Sequence, residues 1–75
     1  MSQYAIKITG APRYDGEYDG GRTVAEAERH ARSMIRELPR DARMRIVSFD
    51  FSDRRYPDGR VVTHSTYSFR TGSWE

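Results

Sequence analysis

Apolar and polar residues alternate from Tyr4 to Thr9. Tyr4, Ile6 and Ile8 fall on one side of an extended chain, and Ala5, Lys7 and Thr9 on the other. That period of two predicts a half-buried strand. Residues 10–22, GAPRYDGEYDGGR, interrupt the pattern with four glycines, a proline and two Asp-Gly pairs, and they read as a loop of successive turns. Tyr-Asp-Gly occurs twice, at Tyr14 and Tyr18, but an offset of four residues is too short for a repeat architecture.

The period changes after Thr23. Thr23-Val24-Ala25-Glu26 fits a capping box, in which the hydroxyl takes one free backbone N–H and the carboxylate another. Val24, Ala27, Ala31, Met34, Ile35 and Leu38 then recur at steps of three and four, predicting an amphipathic helix over residues 24–38. Pro39 ends it, because the residue before a proline avoids helical angles. Residues 44–70 read as one long hairpin closed at Tyr56-Pro57-Asp58-Gly59-Arg60, with Gly59 in the left-handed region. Setting Tyr56 against Arg60 places Phe49 opposite Tyr67, Val47 opposite Phe69, Phe51 opposite Ser65 and Arg55 opposite Val61. One side then carries Val47, Phe49, Phe51, Tyr67 and Phe69. The other carries Ser48, Asp50, Ser52, Arg54, Val62, His64, Thr66, Ser68 and Arg70, with Met44 and Ile46 at its end.

The expected architecture is therefore a single α+β domain over residues 1–75. One helix covers the Val47/Phe49/Phe51/Tyr67/Phe69 face of a three- or four-stranded antiparallel sheet. The order is β-α-β-β, with a short C-terminal strand at Ser73-Trp74 as the fourth. Met44 and Ile46 on the open face would form a dimer contact, so the chain is expected as a monomer or a homodimer.

Composition narrows the function. A chain of 75 residues buries only about 60% of its unfolded surface, so its core is thin. The absence of cysteine excludes disulfides, thiolate zinc sites and cysteine nucleophiles. No apolar run approaches the ~20 residues of a membrane span, and the start does not read as a secretion signal. The expectation is a soluble, cytoplasmic protein. Basic and acidic residues nearly balance at 13 to 11, a formal net charge of +2, which is modest for a dedicated nucleic-acid binder.

Three groupings carry candidate chemistry. Arg29, Arg32, Arg36 and Arg40 lie in one sector of the expected helix, opposite its apolar stripe. They read either as a solvated outer face or as a docking surface for a carboxylate- or phosphate-bearing partner, which a planar guanidinium binds in two places at once. Tyr14, Tyr18 and Tyr56 lie in or beside turns near Arg13, Arg22, Arg54, Arg55 and Arg60. This combination suits a protein hot spot or a nucleic-acid contact, and equally suits tyrosines folded over a thin core. Asp15, Glu17, Asp19 and Glu26 come near the spacing of a calcium loop. However, Glu17 stands where a shorter side chain belongs, and capping already accounts for Glu26.

Catalysis finds little support. Ser52, His64 and Asp50 could be assembled into a nucleophilic set, but an exposed sheet face offers no cleft and no oxyanion donors. No phosphate-cradling or dinucleotide motif is present.

The layout also resembles small phage-encoded anti-CRISPR proteins, and most of all a type I inhibitor family that binds backbone subunits of the crRNA-guided surveillance complex. The resemblance rests on Tyr4-Ala5-Ile6-Lys7-Ile8, on the helix start Thr23 to Ala31, and on Met44-Arg45-Ile46 opening the next strand. These cover about half the chain. The Tyr-Asp-Gly loop and the longer stretch before Met44 depart from the family pattern. The resemblance implies a protein partner, steric blocking of target DNA in the bacterial host cell, no cofactor, and Arg29 as a contact. By extension along the helix, Arg32, Arg36 and Arg40 join Arg29, and Tyr14 and Tyr18 are expected as further partner contacts. A small nucleic-acid-binding module using Arg and Tyr contacts is the alternative.

Overall fold

The computed structural model describes residues 3–75; Met1 and Ser2, which the 1–75 domain assignment includes, lie outside the described residues. The chain runs β1 (Tyr4–Thr9), β2 (Gly16–Gly21), α1 (Val24–Arg32), a 3₁₀ turn (Ile35–Glu37), β3 (Arg43–Asp50), β4 (Arg60–Ser68) and β5 (Ser73–Trp74). The five strands form one antiparallel sheet in the order β2-β1-β3-β4-β5. The α+β class, the single helix and the C-terminal strand agree with expectation. The sheet has one strand more than expected.

The additional strand comes from the segment expected to be loop. Only residues 10–15 turn: Ala11 O accepts from Tyr14 N (2.7 Å) and Asp15 N (2.8 Å), while Asp15 Oδ1 accepts from Ala11 N (2.7 Å). The chain then pairs back on β1, with Tyr18 facing Ile6 and Glu17 facing Lys7. The glycines of β2 serve packing as well as turning. A Cβ on Gly20 would stand 2.9 Å from Ala27 Cβ and 2.9 Å from Tyr4 O, and one on Gly21, whose φ is +103°, would meet the Glu26 carboxyl at 2.7 Å. These absent side chains let α1 lie directly on β2.

The helix begins as expected. Thr23 Oγ1 accepts from Glu26 N at 3.0 Å, and Glu26 Oε2 accepts from Arg22 N at 3.4 Å. It ends earlier than expected, at Arg32 rather than Leu38. The Ser33 hydroxyl donates to His30 O (2.7 Å), and the next amides shift to i−3 partners, Ser33 N to His30 O and Met34 N to Ala31 O. A serine that bonds back to the turn competes with the helical ladder, and the chain tightens into 3₁₀ geometry. Leu38 is extended before Pro39, as the pre-proline restriction requires. All six residues of the expected apolar stripe still reach the core, with Ala27, Ala31 and Leu38 buried and Val24, Met34 and Ile35 against them.

The hairpin register differs from expectation. Asp50 faces Arg60, Phe49 faces Val61, Val47 faces Thr63 and Met44 faces Tyr67. Residues 51–59, rather than a three-residue turn, make the connection. Two consecutive turns shape it, Asp53 O accepting from Tyr56 N (3.1 Å) and Tyr56 O from Gly59 N (2.9 Å), with Gly59 at φ +91°. A bulge adds a second departure. Ile46 faces Ser65 and Val47 faces Thr63, so His64 has no opposite residue, and the alternation of β4 changes side there.

These two features reverse which face of β3 is covered. Ile6 pairs with Ile46 and Ile8 with Met44, and these four form the core with Ala11, Ala27, Ala31, Leu38 and Ala42. Met44 and Ile46 are 0% exposed and sit beneath the helix, which removes the basis for a dimer contact there. Tyr67 and Phe69 pack against the core as expected. Val47, opposite Ala5, and Phe49, opposite Val61, instead fall outside the cluster under α1, although Val47 is itself 0% exposed. Phe51 follows Phe49 to the open side and is 68% exposed.

Candidate arginine and aromatic surface

Arg29 and Arg32 ride the outer side of α1, opposite Ala27 and Ala31, and both are exposed. Arg36 lies on the 3₁₀ turn and Arg40 beyond Pro39, also exposed. Among the described residues none of these four guanidiniums has an ion-pair or hydrogen-bond partner. Glu28, one turn before Arg32, forms no ion pair with it.

The C-terminal strand gives this row an aromatic floor. β5 is held to β4 by reciprocal bonds between Thr66 and Glu75 (3.0 and 2.9 Å), after a turn in which Ser68 O accepts from Gly72 N (2.8 Å). Trp74 thereby stands opposite Tyr67. Their ring centroids are 5.2 Å apart, and Tyr67 meets Phe69 edge-on at 4.9 Å. Arg32, Ile35, Arg36, Tyr67, Gly72, Ser73 and Trp74 line a hollow of about 390 Å³. Next to it Ala25, Glu28, Arg29 and Arg32 line one of about 260 Å³, and Arg40, Arg70 and Phe69 line another of about 390 Å³. Arg32 is common to the first two. Arg70, Tyr67 and Trp74 were not anticipated as site residues. The signal available was the Thr71-Gly72 turn before a lone tryptophan, but the partner strand of Trp74 depends on the β4 register.

Tyr14 and Tyr18 stand elsewhere. Both pack against the core, and the Tyr18 hydroxyl donates to Tyr14 O at 2.6 Å. Tyr14 lines a separate hollow of about 350 Å³ with Ala11, Pro12, Arg13, Glu37 and Pro39. The structure therefore does not join the two tyrosines to the arginine row.

The acidic spacing of residues 15–26 is divided among three elements. Asp15 binds Ala11 N in the turn, Asp19 Oδ1 accepts from Gly21 N (3.1 Å) on β2, and Glu26 caps α1. Among the described residues no three His, Cys, Asp or Glu side chains group as a metal site. The Ser52–His64–Asp50 set does not assemble either. His64 Nε2 bonds Ser48 Oγ at 2.7 Å and its ring meets Tyr4 edge-on at 5.1 Å, while Asp50 Oδ1 accepts from Ser52 N (2.9 Å). The Ser52 side chain, and secondarily that backbone bond, hold the Asp50 carboxyl below the usual carboxylate range. Arg55, through side chain and backbone, lowers Asp53, and Asp53 in turn raises Arg55.

Among the described residues no helix is long and apolar enough to cross a membrane. Compared with protein-family models, with curated proteins and with solved structures, the chain matches none.

Proposed function

We propose that this protein is a non-catalytic binding module, an inhibitor of the anti-CRISPR kind that it resembles, occupying a crRNA-guided surveillance complex so that target DNA is sterically blocked. The observation that supports this reading is the unpaired guanidinium row beside the Tyr67/Trp74 hollow. Exposed arginine and half-buried aromatic side chains are the residue types that dominate protein hot spots. Guanidiniums without internal partners are free to fork onto carboxylates of a partner subunit. The test mixes the protein with purified type I surveillance complex and measures binding of labelled target DNA. Wild-type protein is expected to suppress DNA binding, and Arg32→Glu/Arg36→Glu to lose that effect while keeping its melting temperature. Undiminished DNA binding with wild-type protein rejects the reading.

A second reading is supported by the aromatic row Trp74–Tyr67–Phe69 with arginines on both flanks, an arrangement on which single-stranded nucleic acid stacks. Four arginines on phosphates would give a logarithmic salt slope of about −3 for a single strand. A gel shift across salt concentrations separates this reading from the first.

A further inference from the structure

The face of the sheet away from α1 holds a further hollow, of about 510 Å³, lined by Glu17, Phe49, Phe51, Asp58, Gly59 and Val61. Its apolar part is unusually open, with Phe51 68% and Val61 38% exposed. Exposed apolar side chains rimmed by polar residues are the kind of surface on which protein partners dock.

The exposure of Phe51 follows from an organised loop. Asp50 accepts from Ser52 N, Asp53 ion-pairs with Arg55 at 2.9 Å, and two backbone turns carry the chain to Gly59. Gly59 closes against the ring, so that a Cβ there would stand 2.9 Å from Phe51 Cε1 and 3.0 Å from Phe49 Cβ. Of the three aspartates at residues 50–58, Asp50 and Asp53 are thus engaged within the loop. Asp58 has no partner among the described residues, nor has Glu17, which faces Lys7 across the strands without an ion pair. Lys7 and Arg45 share this face but do not line the hollow, and Arg45 Nη1 is directed to Thr63 Oγ1 at 3.1 Å.

We infer that this hollow is a docking site for an arginine-bearing segment of a partner protein. Two unpaired carboxylates at the wall favour a cation, and aromatic rings attract one through their faces. A guanidinium satisfies both demands at once, because its plane stacks on a ring while its edge donates to a carboxylate. The site is independent of the arginine and aromatic surface, on the other side of the sheet and of opposite charge preference.

The test titrates ¹⁵N-labelled protein with the capped peptide Gly-Arg-Gly-Arg-Gly and with the same peptide carrying Glu at both Arg positions. Shifts are expected at Glu17, Phe49, Gly59 and Val61 with the arginine peptide alone. Glu17→Gln/Asp58→Asn is expected to weaken binding about tenfold, the sum of two exposed ion pairs, and Phe51→Ser to weaken it comparably. Both variants should keep the wild-type melting temperature. Shifts confined to Glu28, Glu37 or other acids outside the hollow would overturn the proposal, as would equal binding of the glutamate peptide. It would also be overturned by sedimentation showing a self-associated protein that Phe51→Ser renders monomeric, since a second copy would then be the occupant.

Discussion

The reversal of the sheet faces makes a quantitative prediction. Ile46 is 0% exposed and packs beside Ile6 under the alanines of α1, whereas Phe51 is 68% exposed on the opposite side. Ile46→Ala removes three buried carbons, worth about 2.4 kcal/mol at ~0.8 kcal/mol each. Incomplete collapse around the cavity raises the total to about 3–4 kcal/mol. For a domain of this size each kcal/mol shifts the melting point by roughly 4–8 °C, so a fall of about 12–32 °C is expected. Phe51→Ser should stay within about 0.5 kcal/mol of wild type, as surface substitutions do. Urea unfolding followed by Trp74 fluorescence and by far-ultraviolet circular dichroism reads both. If Phe51→Ser cost as much as Ile46→Ala, or if Ile46→Ala were neutral, the Phe49/Phe51 side rather than the Met44/Ile46 side would lie under α1, and the assignment of faces would be wrong.

Two other outcomes follow from local geometry. Gly20→Ala drives a methyl to 2.9 Å from both Ala27 Cβ and Tyr4 O, so it should destabilise by about 1–3 kcal/mol; Ala27→Gly should relieve part of this, seen as non-additivity in a double-mutant cycle. Asp53 has its folded-state pKa lowered, chiefly by Arg55, so its contribution to the 51–59 loop is present above the ordinary carboxylate value and is lost as pH falls through the lower folded value. A carboxyl-carbon NMR titration should place the Asp53 midpoint lower in wild type than in Arg55→Ala, and equal midpoints would refute the pairing.

Much of the fold could be read directly from residue order. The alternation of Tyr4–Thr9, the Thr23/Glu26 cap and the apolar stripe from Val24 to Leu38 are local patterns, each carried by one continuous stretch of chain, whereas the stop expected at Pro39 came earlier, at Arg32. The exposure of Arg29 and Arg32 follows from the same helical period, which sets them opposite Ala27 and Ala31. The strand β2 was illegible because Gly20 and Gly21 are set by close contact with α1 and β1. Seen without those neighbours, Gly20 and Gly21 carry only the signature of a turn.

What only the assembled structure decided are matters of register. A strand's pattern says which residues share a side but not which side meets the helix. In β3 both candidate sets, Met44/Ile46 and Val47/Phe49/Phe51, are apolar. The choice was made by pairing with Ile6 and Ile8, whose side is covered by α1, and by the His64 bulge that lets Tyr67 join them. The same pairing sets Trp74 beside Tyr67 and both near Arg32 and Arg36, and it leaves Phe51 in the open near Asp58. Helical and strand periods are properties of one segment. Which segments touch depends on burying the best-fitting apolar faces together, a balance among distant parts of the chain that no single stretch encodes.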